Sequence, residues 1–185
     1  MSDSPGTWRR LDGSAVPWVE AVSNWTEAAV PVLESVARRY NGTITYVDFA
    51  AAVQDATGIE TRSLLQNWIG DVLGAVARRQ PAGEPTLTSL VIRADGTIGP
   101  GYADPVTERD GEVPVDLDWH SAEERLACYR HFGAALPPDG GRPTLTAKVA
   151  ARRQRARGGA PVRAVCRSCG LRLPASELCD NCDPQ

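Results

Sequence analysis

Four cysteines near the C-terminus constrain this chain more than any other feature. They are spaced Cys166-x2-Cys169-x9-Cys179-x2-Cys182. Two residues between cysteines let both thiolates of a pair face one ion from a tight turn. Two such turns supply four sulfurs at tetrahedral geometry, with Zn–S distances of about 2.3 Å. The spacing predicts that Cys166, Cys169, Cys179 and Cys182 bind one Zn2+. An all-cysteine site leaves no open coordination position, so the ion's expected role is structural. About 20 residues cannot bury a core, and the metal is expected to supply most of the module's folding free energy. The alternatives are two disulfides or a redox pair. Disulfides do not suit a reducing compartment. A redox Cys-x-x-Cys belongs between a strand and a helix of an α/β domain, which this segment is not.

The compartment follows from the other end of the chain. Met1 to Gly6 has neither the basic start nor the apolar stretch of a secretory leader. No apolar run approaches the roughly 20 residues that span a bilayer. Hydrophobic residues make up 42% and charged residues 23%, ordinary values for a soluble protein. The expectation is a cytoplasmic protein with no membrane partner.

The net charge of −3 is unevenly divided. From Arg142 onward there are 9 Arg and Lys against 3 Asp and Glu; before it there are 11 against 20. A basic tail of this kind either touches nucleic acid or neutralises the chain's own acidic body.

Along the chain, Trp18, Val22, Trp25 and Ala29 mark one face of a helix. Pro31 interrupts the pattern, as a kink or as the first turn of a second helix. Asn41-Gly42 is a helix stop. Thr43 to Tyr46 is a short β-prone run, and Asp48 is placed to cap a helix over Phe49–Ala56, ending at Gly58. Thr61 is the candidate cap of a longer helix reaching Arg79. Leu87 to Arg93 reads as a strand, Asp95-Gly96 as a two-residue hairpin turn, and Thr97-Ile98 as the return. This order predicts an α+β fold: a winged helix–turn–helix body with an additional helix and a small C-terminal zinc ribbon. Residues 103–118 read as an acidic loop. Ser121 and Glu124 form a capping-box pattern opening a helix to about Phe132. A final helix is expected from about Thr146 to Arg157. The domain plan is a flexible N-terminus over 1–14 and a winged-helix-like domain over 15–102. An acidic loop and capped helix over 103–135, a basic linker and helix over 136–160, and the four-cysteine module over 161–185 complete it.

Two resemblances follow from particular residues. Cys166-Arg167-Ser168-Cys169-Gly170 and Cys179-Asp180-Asn181-Cys182 resemble the knuckles of zinc-ribbon proteins. Gly170 matches the glycine that follows a knuckle's second cysteine; Asp183 departs from it. Ile44-Thr45-Tyr46-x-Asp48-Phe49-Ala50 and Val91 to Gly99 resemble the winged-helix domain of alkylguanine-DNA alkyltransferases and alkyltransferase-like proteins. That family carries a Pro-Cys-His-Arg motif before the strand. Here Pro85-Thr86-Leu87-Thr88 stands in its place, with no nucleophile. The resemblance implies the winged fold and not the repair activity.

Under the winged reading, Arg62, Ser63, Gln66 and Asn67 fall on the outer side of the recognition helix, and Arg93 lies on the wing. Their side chains can bond base edges or phosphates. Arg152, Arg153, Arg155 and Arg157 form a basic arm whose guanidinium forks suit phosphate oxygens. The expected partner is DNA. The alternative is a protein-interaction adaptor that uses the zinc module and an acidic surface. Cys128 and His131 lie three apart on one helical face, a spacing open to nucleophilic catalysis or to plain packing. No phosphate loop, Gly-x-Ser-x-Gly or His-Glu-x-x-His occurs. The chain is expected to be a regulator or binding protein without catalytic residues.

Overall fold

A computed structural model describes residues 6–81 and 83–157, together with Cys169 and Cys182. The chain divides into two compact units, Met1–Thr146 and Ala147–Gln185. The first unit is a mixed fold of helices and short strands. It holds β1 (Thr7–Arg9), α1 (Trp18–Ala37), β2 (Ile44–Thr45), α2 (Tyr46–Thr57), β3 (Ile59–Thr61), α3 (Ile69–Arg79), β4 (Val91–Ile92), α4 (Ala103–Asp110) and α5 (Leu117–His131). Of the second unit, the described element is α6 (Ala147–Arg157).

The core gathers around α1. Trp25, Ala29 and Leu33 recur at helical spacing and are fully buried. They meet Phe49 and Val53 of α2, Val72 and Val76 of α3, and Leu126 and Tyr129 of α5. Trp25 packs on Trp68 with ring centroids 4.4 Å apart, and its indole N–H donates to the Ile59 carbonyl at 3.1 Å. That bond satisfies the one polar atom this large side chain brings inside. A smaller cluster joins Ile98, Tyr102 and Val106, with Leu117 against it.

Several sequence expectations are met. α2 ends at Gly58, which takes the left-handed conformation, and Asn41 also has positive φ after α1. β2 pairs with β4 in parallel, Ile44 opposite Val91 and Thr45 opposite Ile92. The turn at Asp95-Gly96 closes with the Arg93 amide donating to the Thr97 carbonyl at 2.8 Å.

Others are corrected. α1 continues through Pro31, which sits on the exposed face, where water can reach the carbonyl its missing N–H leaves open. Thr45, and not Asp48, caps α2; Asp48 stands at the third position, and its amide donates back to Thr45 Oγ1 at 3.2 Å. Residues 7–9, expected to be loose, form β1 antiparallel to β3. That pairing consumes Thr61, the expected cap of the third helix. After β3 come an extended stretch and one 3-10 turn at Leu65–Asn67, and α3 begins only at Ile69. The expected strand at Leu87 is a 3-10 turn over Leu87–Leu90, and the strand proper is two residues long. All four residues of that turn are buried, so the run lacks the alternation that separates strand from helix. The return strand reduces to a single bridge, Ile92 opposite Ile98.

The acidic loop over 103–118 contains α4. Pro100 opens the turn that leads into it, Val106 is buried in the small cluster, and Gly111 closes it in the left-handed conformation. α5 starts one turn earlier than the capping-box pattern implied. Asp116 is its cap, accepting from the Trp119 amide at 3.0 Å, while Ser121 and Glu124 lie inside the helix.

Candidate functional site

The residues expected to meet nucleic acid fall into three places. Arg62, Gln66 and Asn67 are exposed and Ser63 is half-buried, all on the segment that leads into α3 and not on a helix face. The Arg62 guanidinium carbon lies over the Trp8 ring, 5.4 Å from its centroid. Nearby basic groups are matched by acids: Arg9 with Glu20 at 2.7 Å, and Arg10 with Asp55 and Glu60 at 2.7 and 2.6 Å. Arg93 is exposed at the Asp95-Gly96 turn.

In the second unit, α6 carries Lys148, Arg152, Arg153, Arg155 and Arg157 and no acidic residue. Arg152, Arg155 and Arg157 are exposed, Arg153 half-buried. Cys169 and Cys182 are exposed. Cys166 and Cys179, the other expected zinc ligands, lie outside the described residues, as do Arg163, Arg167 and Arg172. The four thiols on paired two-residue spacings are a donor set that fits zinc chemically. Among the described residues, no group of three or more His, Cys, Asp or Glu side chains is placed to hold a metal.

The first unit contains a polar network that the sequence did not suggest. Arg109 of α4 reaches α5 and the chain before the Leu87–Leu90 turn. Its guanidinium donates to Thr86 Oγ1 at 2.6 Å and to Glu124 at 3.0 and 3.2 Å. It also forks onto its neighbour Asp110 at 2.7 and 2.8 Å. The Thr86 amide donates to Glu124 at 2.6 Å. The Asp110 carboxylate lies 3.7 Å from His120 Nε2, and His120 Nδ1 shares a 3.0 Å hydrogen bond with the Tyr102 hydroxyl. Burial opposes ionisation of Glu124, but the Arg109 guanidinium and the Thr86 N–H outweigh it and hold the carboxyl below its usual range. Hydrogen bonding to Asp110 raises Arg109 against the desolvation that lowers it. Burial also keeps the Tyr102 phenol protonated, well above its ordinary value.

No known family, curated protein or solved structure matches the chain. Functional assignment rests on the side chains themselves.

An open depression of about 660 Å3 lies beside the network, lined by Glu84, Arg109, Glu124, Arg130 and His131 among others. Its charges are of both signs, and most are engaged. Arg130 donates to the Gly140 and Gly141 carbonyls, as Arg109 does to its two acids. Such a surface recognises shape and mixed charge better than it attracts an anion. Cys128 is fully buried, 3.9 Å from Ser89 Oγ, and burial pushes its thiol up to about 12. It stays protonated at neutral pH and packs as a small apolar side chain, while His131 is exposed. The packing alternative for the pair is therefore the one the geometry supports. No helix among the described residues is long and apolar enough to cross a membrane.

The missed network had a faint signal. Pro100 and Gly111 bracket α4 as helix start and stop, and Arg109 then falls in its last turn, where a cation suits the helix dipole. Its partner Glu124 was assigned to capping, a local role that concealed the long-range one.

Proposed function

We propose that the chain is a zinc-binding, non-enzymatic DNA-binding or regulatory protein of the cytoplasm, in which a winged-helix-like body is joined to a basic helix and a zinc ribbon. The observation that carries this reading is α6: five cations and no acid within 11 residues, shortly before the paired Cys-x2-Cys spacings. Five cations on one short helix that carries no acid of its own match the charge density of an external polyanion such as a phosphate backbone. Zinc held by Cys166, Cys169, Cys179 and Cys182 gives the following segment a fixed shape. The β2–β4 pairing and the turn at Asp95-Gly96 support the winged part of the reading. Arg62, Ser63, Gln66, Asn67 and Arg93 are its assigned contacts on that body. Acidic neighbours weaken nonspecific attraction there, so the main electrostatic contribution is assigned to Arg152, Arg153, Arg155 and Arg157.

Fluorescence anisotropy with duplex and single-stranded DNA tests the proposal. Each neutralised phosphate steepens the salt dependence of binding by about 0.9 in log–log slope. Replacing the four α6 arginines with Ala is expected to weaken binding at least tenfold and to flatten that slope. Unchanged affinity in this variant removes the basic helix from the function. Metal analysis of purified protein is expected to give one zinc per chain, lost when Cys166 and Cys169 are both changed to Ser.

A second reading is an adaptor that binds another protein. The mixed-charge depression beside Arg109 and Glu124 favours it, because a surface of that kind suits a polar protein interface. It predicts no DNA binding in the same titration and stable co-purification of a partner protein.

A further inference from the structure

A second, smaller cleft lies between α3, the Leu87–Leu90 turn and the start of α4, with a volume of about 60 Å3. Thr88 lines it. Its residue is 6% exposed, and Thr88 Oγ1 is the buried side-chain atom without a hydrogen-bond partner among the described residues. Buried hydroxyls are otherwise satisfied, so this one calls for an external partner. Tyr46 lines the same cleft. Its hydroxyl lies against Gly99, which leaves no room for a Cβ there, and it makes no hydrogen bond among the described residues.

The opposite wall is built from glycines. Gly70 and Gly74 sit four apart within α3, where glycine costs helix stability, and neither has positive φ. Close packing does not account for them. A Cβ at Gly70, or at Gly101 across the cleft, would meet nothing within 4 Å; at Gly74 it would meet only the Arg78 guanidinium at 3.2 Å. Gly70 and Gly101 are themselves exposed, so this wall leaves the cleft open to solvent.

Size and lining narrow the occupant. The volume matches about two waters at roughly 30 Å3 each, well below the roughly 150 Å3 that admits a benzene ring. It fits two to four non-hydrogen atoms, or the tip of something longer. The residues lining the cleft carry no charge and the Arg78 guanidinium stands at its rim, so a cation entering it would lose its hydration without a counter-charge. Each of the two hydroxyls both donates and accepts. A primary amide offers the complementary pair in one planar group of the right size.

We propose that this cleft binds a primary amide, hydrogen-bonded by Thr88 Oγ1 and the Tyr46 hydroxyl. The amide belongs to a small free molecule or to an Asn or Gln side chain of a partner. The test uses the full-length, zinc-loaded protein and acetamide as probe, followed by amide NMR spectra. Saturable shifts are expected at Gly70, Gly74, Thr88 and Gly101, lost in Thr88→Val and in Gly70→Ala while the rest of each spectrum is retained. Acetate is the charge control, because Arg78 stands at the rim, and is expected to give no saturable shift there. A capped Gly-Gln-Gly peptide binding at least tenfold tighter than acetamide assigns the site to a partner's side chain; equal affinity assigns it to a free amide. Linear shifts, shifts that persist in both variants, stronger binding of acetate, or a crystal grown in acetamide holding water only in the cleft overturns the proposal.

Discussion

Arg109 and Arg125 are both drawn into the first unit, and their partners differ. Arg109 meets two carboxylates, whereas Arg125, 3% exposed, meets none by direct bond. Its guanidinium donates to the Ser89 carbonyl at 3.3 Å, to Ser121 Oγ at 3.0 Å and to the Thr144 carbonyl at 3.1 Å. Desolvation lowers its pKa, with no ion pair to offset the cost. Truncation removes the donor from two buried acceptors, on Ser89 and Ser121, and from the part-buried Thr144 carbonyl. Arg125→Ala is expected to lower the unfolding free energy by about 3 kcal/mol in urea titration. A loss below about 0.5 kcal/mol means that water replaces the side chain, and the clamp on Thr144 is then not important. Glu124 gives a pH-dependent counterpart. Its folded pKa lies below the unfolded value, so its contribution is present above the unfolded carboxyl range and is lost as pH falls through the folded pKa. Glu124→Gln is expected to cost about 1 kcal/mol at pH 7, a figure reduced for the partial exposure of Arg109. The gap between the two proteins should close as urea midpoints are measured down towards pH 3. A gap that is constant with pH assigns the effect to packing and not to charge.

The elements show what sequence periodicity can and cannot reveal. α1, α2 and α6 were legible because apolar spacing or composition and a nearby stop signal agreed. Asn41-Gly42 is the clearest stop. Gly42 donates to the Arg39 carbonyl at 2.8 Å, and a Cβ there would lie 2.6 Å from the Val36 carbonyl and 2.8 Å from that of Arg39. Both obstacles are backbone, so the chain itself must move. Gly42→Ala is expected to destabilise by about 2 kcal/mol, with the first loss of amide protection at the C-terminal turn of α1. Hydrogen exchange that leaves that turn unchanged removes the steric argument. The misplaced start of α3 has a different cause. Residues 61–68 carry an adequate helical stripe, but β1 captures Ile59–Thr61 from 50 residues away, and Trp68 turns in to stack on Trp25. Tertiary pairing overrode local pattern there. The segment over 136–146 likewise reads as a linker, yet it is held by Arg130 at Gly140, by Tyr40 at Arg142 and by Thr146 at Gly96. Those bonds join residues 10 to 102 positions apart, a range over which a sequence pattern carries no signal. The Thr88 cleft was invisible for the same reason: its walls are glycines, which read locally as breakers.

At the scale of the molecule, the division after Thr146 separates two sources of stability. The unit Met1–Thr146 holds the aromatic core, whereas the four-cysteine segment, with few large apolar residues, relies on metal under the proposed zinc reading. All five tryptophans, Trp8, Trp18, Trp25, Trp68 and Trp119, lie in the first unit, and four of the five cysteines lie in the second. The two reporters are therefore already separated by sequence. Chelation at neutral pH is expected to make Cys166, Cys169, Cys179 and Cys182 react rapidly with a thiol reagent while tryptophan emission stays unchanged. Cys128, buried and protonated, is expected to react only when urea unfolds the core, in step with the emission change. A chain ending at Thr146 should show the same unfolding free energy in urea as the full protein to within about 0.5 kcal/mol, the additivity expected of independent units. If chelation instead shifts the tryptophan transition, metal and core form one cooperative system. The basic helix would then be a strut between them, and the DNA-binding assignment of its arginines would lose its main support.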